Sequence, residues 1–107
     1  LEFKLNIKIL NYGIGNLGSI INLLNSFDNV NVEVADSKHD LKSLDLLILP
    51  GVGTFPNAIK NLHKKKLYNY LKQNIKSGLP VLGICLGMHI LSKSSEELGS
   101  NNGLGFF

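Results

Sequence analysis

A single cysteine, Cys85, occurs in the 107 residues, and its isolation rules out an internal disulfide framework. The default compartment for such a chain is a reducing one, so the expectation is a cytoplasmic protein. Charge is also sparse, at 18% of residues against 44% hydrophobic. That balance excludes a disordered polar chain and favours one packed core, near the common size for a single domain. No apolar run approaches the roughly 20 residues of a membrane-spanning helix, so no membrane association is expected. The opening residues, Leu1-Glu2-Phe3-Lys4-Leu5-Asn6, lack the apolar stretch and cleavage site of a secretory signal. Because they begin with Leu rather than Met, residues are expected to have been lost or added at that end.

A formal net charge of +3 is modest. The most basic stretch, His63-Lys64-Lys65-Lys66, lies in a helical pattern with Lys60, Lys72 and Lys76. No aromatic residues interleave with it as a nucleic-acid platform requires, so it reads as a solvated helix face and no nucleic-acid partner is expected. A docking patch for an acidic partner is the competing reading. No internal repeat or low-complexity linker is present.

What is there is an alternation of short apolar runs and helical patterns. Ile7 to Asn11 reads as a strand, closed by Tyr12-Gly13-Ile14-Gly15-Asn16. Leu17, Ile20, Ile21, Leu24 and Phe27 recur at helical spacing, with Asn16 as N-cap. Val30, Val32 and Val34 alternate with polar residues, as in a strand with one buried face. Leu44 to Leu49 is nearly all apolar and stops at Pro50-Gly51, the signature of a strand covered on both faces. One long helical pattern then runs from Ala58 through Leu62, Leu67, Leu71 and Ile75 to a C-terminal Gly78. Pro80 to Ile84 reads as another buried strand, followed by a helix from Leu86. This order predicts an α/β fold: a doubly wound, mostly parallel sheet with flanking helices. Ligand sites in such sheets lie beyond the carboxyl ends of the strands. Three glycine-rich turns fall there: Gly13–Gly15, Gly51–Gly53 and Gly83–Gly87.

Gly83-Ile84-Cys85-Leu86-Gly87 sits between a strand and a helix, where a nucleophile elbow would hold its central residue in a strained turn flanked by glycines. That position puts Cys85 at a helix N-terminus, which favours the thiolate, and the Leu86 amide near a developing oxyanion. The plain reading is a small buried Cys among glycines that merely permit close packing. From spacing alone the two stand about even; the strand before and helix after favour the nucleophile. Leu49-Pro50-Gly51-Val52-Gly53 ends the other apolar strand, where its amides can supply further oxyanion donors. Read alone, it is an ordinary loop, with Pro50 ending the strand and Thr54 capping the helix.

Taken together, Tyr12-Gly13-Ile14-Gly15-Asn16-Leu17, Leu49-Pro50-Gly51-Val52-Gly53 and Gly83-Ile84-Cys85-Leu86-Gly87-Met88 resemble the class I (triad) glutamine amidotransferases. Within that family they are most similar to the glutaminase subunits of imidazole glycerol phosphate synthases. The resemblance covers nearly the whole chain in order and spacing. Phe55-Pro56-Asn57-Ala58, Ser95-Glu96-Glu97 and Gly103-Leu104-Gly105 extend it. It implies a flavodoxin-like amidotransferase fold, incomplete at the C-terminus, with residues 1–107 forming the N-terminal part of one type 1 domain. It also implies glutamine hydrolysis to glutamate and ammonia, with no cofactor and no metal. Ammonia would pass to a synthase (cyclase) partner with a (β/α)8 barrel, in a cytoplasmic heterodimer with lyase activity that serves histidine synthesis. By this resemblance Cys85 is the nucleophile, Leu86 with Gly51 or Val52 forms the oxyanion hole beside Gly53, Glu97 lies near the bound glutamine, and Asn16 faces the partner.

The chain departs from the family at several places. The family's catalytic His and Glu lie in a Pro-x-His-x-Glu motif that does not occur here, and a thiol without its base is a weak nucleophile. The 107 residues alone are therefore expected to be inactive or nearly so, and poorly stable, with sheet edges and apolar faces uncovered. His89 stands where the family usually has a substrate-contacting Gln. It reads either as an ordinary helical His beside the pocket or, four residues after Cys85, as a base for the thiol. Asn11 stands where many members carry Asp. His39 and His63 have no partner at catalytic spacing. The alternatives are a truncated, non-catalytic interaction module of the same fold, a relative serving sugar amidation, or a stand-alone cysteine hydrolase or redox-sensing thiol.

Overall fold

The computed structural model describes residues 4–13, 17–92, 94–95 and 101–106. Strands β1 (Leu5–Leu10), β2 (Val30–Ala35), β3 (Leu46–Leu49) and β4 (Val81–Gly83) form a four-stranded sheet in the order β2-β1-β3-β4. All its pairings are parallel, with Ile9 opposite both Val34 and Ile48, and Ile48 opposite Leu82. Helices α1 (Leu17–Asn25), α2 (Phe55–Lys64), α3 (Tyr68–Lys76) and α4 (Leu86–Ile90) are the crossovers between strands or follow them. The α/β reading of the sequence is thus the fold observed. A two-stranded antiparallel ribbon, β5 (Ser94–Ser95) with β6 (Asn101–Asn102), follows. Behind it, Leu104 is buried, and the amides of Leu104, Gly105 and Phe106 donate to the carbonyls of Ile90, Ser92 and Leu91.

Side chains alternate across a strand, so each apolar strand feeds two cores. Leu10, Leu47 and Leu49 join Phe55, Ala58, Leu62, Leu67, Leu71, Ile90 and Leu104 in the larger core under α2, α3 and α4. Ile7, Ile9 and Ile48 point to the opposite face, where Leu17, Ile20, Ile21 and Leu24 of α1 are only partly buried against them.

Two features differ from the sequence reading. The single long helix expected from Ala58 to Ile75 is two helices. After Lys64 the chain turns through Lys66 at φ +60°, and the amides of Lys66 and Leu67 donate to the carbonyls of His63 and Leu62. This is a Schellman termination, closed by the buried pair Leu62 and Leu67. Its αL position, usually glycine, is held by lysine, which reads as a helix former. The only trace in the sequence is a one-residue slip of the apolar stripe between Leu62 and Leu67. The second difference is β4, expected to be buried. It is an edge strand among the described residues, and Leu82, on the α1 side, is 49% exposed.

Candidate active site

Two loops at the carboxyl ends of β3 and β4 are drawn together by backbone hydrogen bonds. Ile84 N–H donates to the Leu49 carbonyl at 3.0 Å, and Leu86 N–H to the Gly51 carbonyl at 3.2 Å. Cys85 sits between those donors as the N-cap of α4, with φ +55° and ψ −118°. A non-glycine residue at positive φ and such a ψ is strained, and the surroundings must hold it there.

The flanking glycines show how. A Cβ on Gly87 would lie 1.7 Å from the Leu49 carbonyl oxygen, and one on Gly83 would lie 2.7 Å from both the backbone nitrogen and the Cα of Met88. Only bare backbone lets α4 close on β3 and on its own strand this tightly. The turn lifts Cys85 out of the sheet, and it is exposed.

An open depression of about 680 Å³ lies over this turn. Gly51, Val52 and Gly53 form one wall, and Cys85, Leu86, Met88 and His89 the other. Thr54 Oγ1 accepts from Asn57 N–H and so starts α2 directly after the glycine turn. Gly51 is buried, whereas Val52 is 60% exposed. Among the described residues the N–H groups of Val52 and Gly53 have no hydrogen-bond partner. Unengaged donors beside an exposed thiol are what an oxyanion site needs. The Leu86 N–H, by contrast, is committed to Gly51, and the Gly87 and Met88 amides to the Ile84 and Cys85 carbonyls.

His89 is exposed on α4, its ring tilted against Phe55 at 4.8 Å between centroids. Its backbone N–H donates to the Cys85 carbonyl at 3.4 Å, but no hydrogen bond joins the imidazole to the thiol among the described residues, although both residues line the depression. Packing on Phe55 holds the imidazole to one side. Asn16 and Glu97 lie outside the described residues. His63 stacks on Tyr68 at 4.1 Å, away from the thiol, and Asn11 ties the first glycine turn by donating to Asp36 and accepting from Gly13 N–H. The sequence reading assigned no task to Tyr12. It is fully buried, its hydroxyl donates to the Pro50 carbonyl, and burial pushes its ionisation far above the ordinary phenol range.

A parallel α/β sheet that lifts a cysteine onto a strained strand-to-helix turn, opposite unengaged backbone amides, is an arrangement suited to thiol acyl transfer. The profile of CobB/CobQ-like glutamine amidotransferase domains matches residues 7–107, and the chain belongs to this glutamine amidotransferase family. It is 48% identical over 99 residues to the imidazole glycerol phosphate synthase subunit HisH of Bacillus cytotoxicus, covering 92% of this chain and 47% of that protein. Subunit HisH 2 of Vibrio vulnificus is 43% identical over 103 residues, covering 95% of this chain and 48% of that protein. The chain thus spans about half the length of the curated relatives it matches. A crystal structure of a glutamine amidotransferase shares the fold, with a TM-score of 0.77 at 21% identity, over 92% of this chain and 51% of that one.

Proposed function

We propose that the chain is the nucleophile-bearing part of a glutaminase subunit that feeds ammonia to a synthase partner making imidazole glycerol phosphate for histidine biosynthesis. The Cys85 thiolate attacks the side-chain carbonyl carbon of glutamine, and the carbonyl oxygen takes up the negative charge. As the C–N bond breaks, the nitrogen gains a proton and leaves as ammonia, with a γ-glutamyl thioester left on Sγ. Water then attacks the thioester, releasing glutamate and restoring the thiol. The Val52 and Gly53 amides receive the oxyanion, and Leu86 joins them only if its bond to Gly51 opens. Gly51 and Gly53 keep the turn close to the substrate, and His89 borders the glutamine. Asn16 faces the synthase, a (β/α)8 barrel in a cytoplasmic heterodimer with lyase activity, and Glu97 lies near the amino-acid end of glutamine. No cofactor or metal enters the reaction.

The observation that carries this reading is the backbone of Cys85, held at φ +55° by glycines whose replacement would collide with β3 and α4. Structural cysteines need no such seat. Because Cys85 has no hydrogen-bonded base among the described residues, proton transfer falls to the family's Pro-x-His-x-Glu motif, which these 107 residues lack. The thiol's lack of a hydrogen-bonded base among the described residues favours a second reading for these residues by themselves, a non-catalytic module that keeps the fold and the partner surface. Recipients of ammonia other than the histidine pathway, such as sugar amidation, are less favoured by the relatives it matches.

Glutamate release separates the two. The 107-residue chain and a version continued through the downstream codons of its gene would be assayed with and without the synthase. The continued version is expected to be active, and Cys85→Ala to lower its rate by about a thousand-fold or more. Equal inactivity of both versions supports the non-catalytic module. Glutamate release by the short chain through Cys85 would make His89 the base and overturn the need for the missing motif.

A further inference from the structure

Tyr12 follows β1 and is fully buried in the larger core. A buried tyrosine has to place its hydroxyl on a partner, because an unpaired O–H in a dry core is costly. Its partner is the carbonyl of Pro50, 38 residues further along the chain. That carbonyl belongs to the Pro50–Gly51 peptide, which opens the turn facing Cys85. Gly51 is packed on the same hydroxyl: a Cβ there would lie 2.6 Å from the Tyr12 oxygen and 3.1 Å from the Leu86 Cβ. The Gly51 carbonyl in turn accepts Leu86 N–H at 3.2 Å. A continuous run of contacts therefore leads from Tyr12 through Pro50 and Gly51 to the residue after Cys85.

We propose that Tyr12 is a positioning residue for the oxyanion turn, its hydroxyl fixing the Pro50–Gly51 peptide and thereby where the Val52 and Gly53 amides stand relative to Cys85. The inference rests on the glutaminase reading above. Tyr12 touches no substrate, and its whole effect passes through the peptide it holds. A peptide plane next to glycines is otherwise free to rotate, since neither Gly51 nor Gly53 carries a side chain to anchor it. Oxyanion donors lose their value when displaced or turned away, because their worth depends on being aimed in advance at the developing charge. Burial keeps the phenol neutral, and so a donor, across the pH range in which a thiolate acts.

The test uses the complete gene product with its synthase. Tyr12→Phe keeps the ring and removes only the hydroxyl. Its kcat for glutamine hydrolysis is expected to fall about 10-fold or more at nearly unchanged KM, as for loss of an interaction made only in the transition state. The rate at which iodoacetamide alkylates Cys85, which needs no oxyanion donor, should stay within about two-fold of wild type. A folded Tyr12→Phe with wild-type kcat overturns the proposal, as does a parallel loss of kcat and alkylation rate, which would mean a damaged elbow. If Tyr12→Phe does not fold, 3,5-difluorotyrosine at position 12 decides. Its more acidic phenol should make kcat fall at alkaline pH where wild type holds steady, and superimposable pH profiles overturn the idea. Should Cys85→Ala retain activity, the glutaminase reading itself fails, an outcome separate from any result at Tyr12.

Discussion

The two faces of the sheet are built to different standards. On one, α2, α3 and α4 lay Phe55, Ala58, Leu62, Leu71 and Ile90 onto Leu10, Leu47 and Leu49, all of them fully buried. On the other, α1 has no buried residue, and Ile7, Ile9 and Ile48 are covered by side chains that stay partly exposed. Leu23 at 64% exposure and Leu82 at 49% are more exposed still. The two candidate-site loops belong to the dense face. Both candidate loops lead directly into helices of that face, α2 after Gly53 and α4 after Cys85. A strained turn persists only where its surroundings over-determine it. Packing is therefore concentrated where the strained turn at Cys85 has to be held, while the α1 face supplies little beyond a cover for three isoleucines.

Truncations on the two faces put this contrast to the sharpest test. Leu62→Ala removes a fully buried side chain that also closes the Schellman turn before α3. It is expected to cost about 3–4 kcal/mol in urea unfolding. Ile20→Ala in α1 removes a half-buried one and is expected to cost about 1 kcal/mol. Equal losses at the two positions would mean that the α1 face is as tightly packed in solution as the other, and the contrast would break.

Alkaline pH should single out the dense face, because Tyr12 is part of its core and its phenol ionises far above the ordinary range for lack of solvation. The unfolded chain loses this proton near pH 10, whereas the folded chain keeps it. The stability from that difference is complete below pH 10 and drains as pH rises toward the folded value. Tyr12→Phe should flatten the fall in unfolding free energy above pH 10 relative to wild type, with lysine deprotonation common to both. Parallel slopes would show that the phenol is solvated.

Much of this was legible from residue patterns. Three apolar runs and one period-two alternation locate the four parallel strands, period-3.6 spacing locates the helical stretches between them, and the Gly-x-Cys-x-Gly spacing points to the elbow before any geometry is known. Most of what stays hidden is non-local. Near Lys66 only the one-residue slip of the apolar stripe from Leu62 to Leu67 marks the turn, and lysine itself gives no sign of a left-handed residue. Tyr12 reads as one more apolar residue before a glycine until β3 brings Pro50 to its hydroxyl. The Leu86 amide, assigned to the oxyanion by its position after Cys85, is drawn to the Gly51 carbonyl because the two loops approach within hydrogen-bonding distance. Leu82 fits a buried strand by sequence, yet no described element covers its side of the edge. Asn16 and Glu97 lie beyond what the described residues address.

Leu82 offers the finest probe of the α1 face. Its partner in register is Ile48, which is almost fully buried, so the two neighbours on one face differ only in what lies above them. Leu82→Thr swaps an exposed apolar side chain for a β-branched polar one that suits a strand. With about half the side chain already in water, little burial is lost, and the expected change is within about 0.5 kcal/mol. A loss well above 1 kcal/mol would mean that something covers Leu82 in solution. The first candidate is a second copy of the chain pairing along β4, since an open edge presents unpaired backbone groups beside the exposed leucine. Unfolding at two protein concentrations tests that directly. Concentration-dependent stability in wild type that disappears in Leu82→Thr would show the face closed by self-association, and stability independent of concentration in both would leave it open to water.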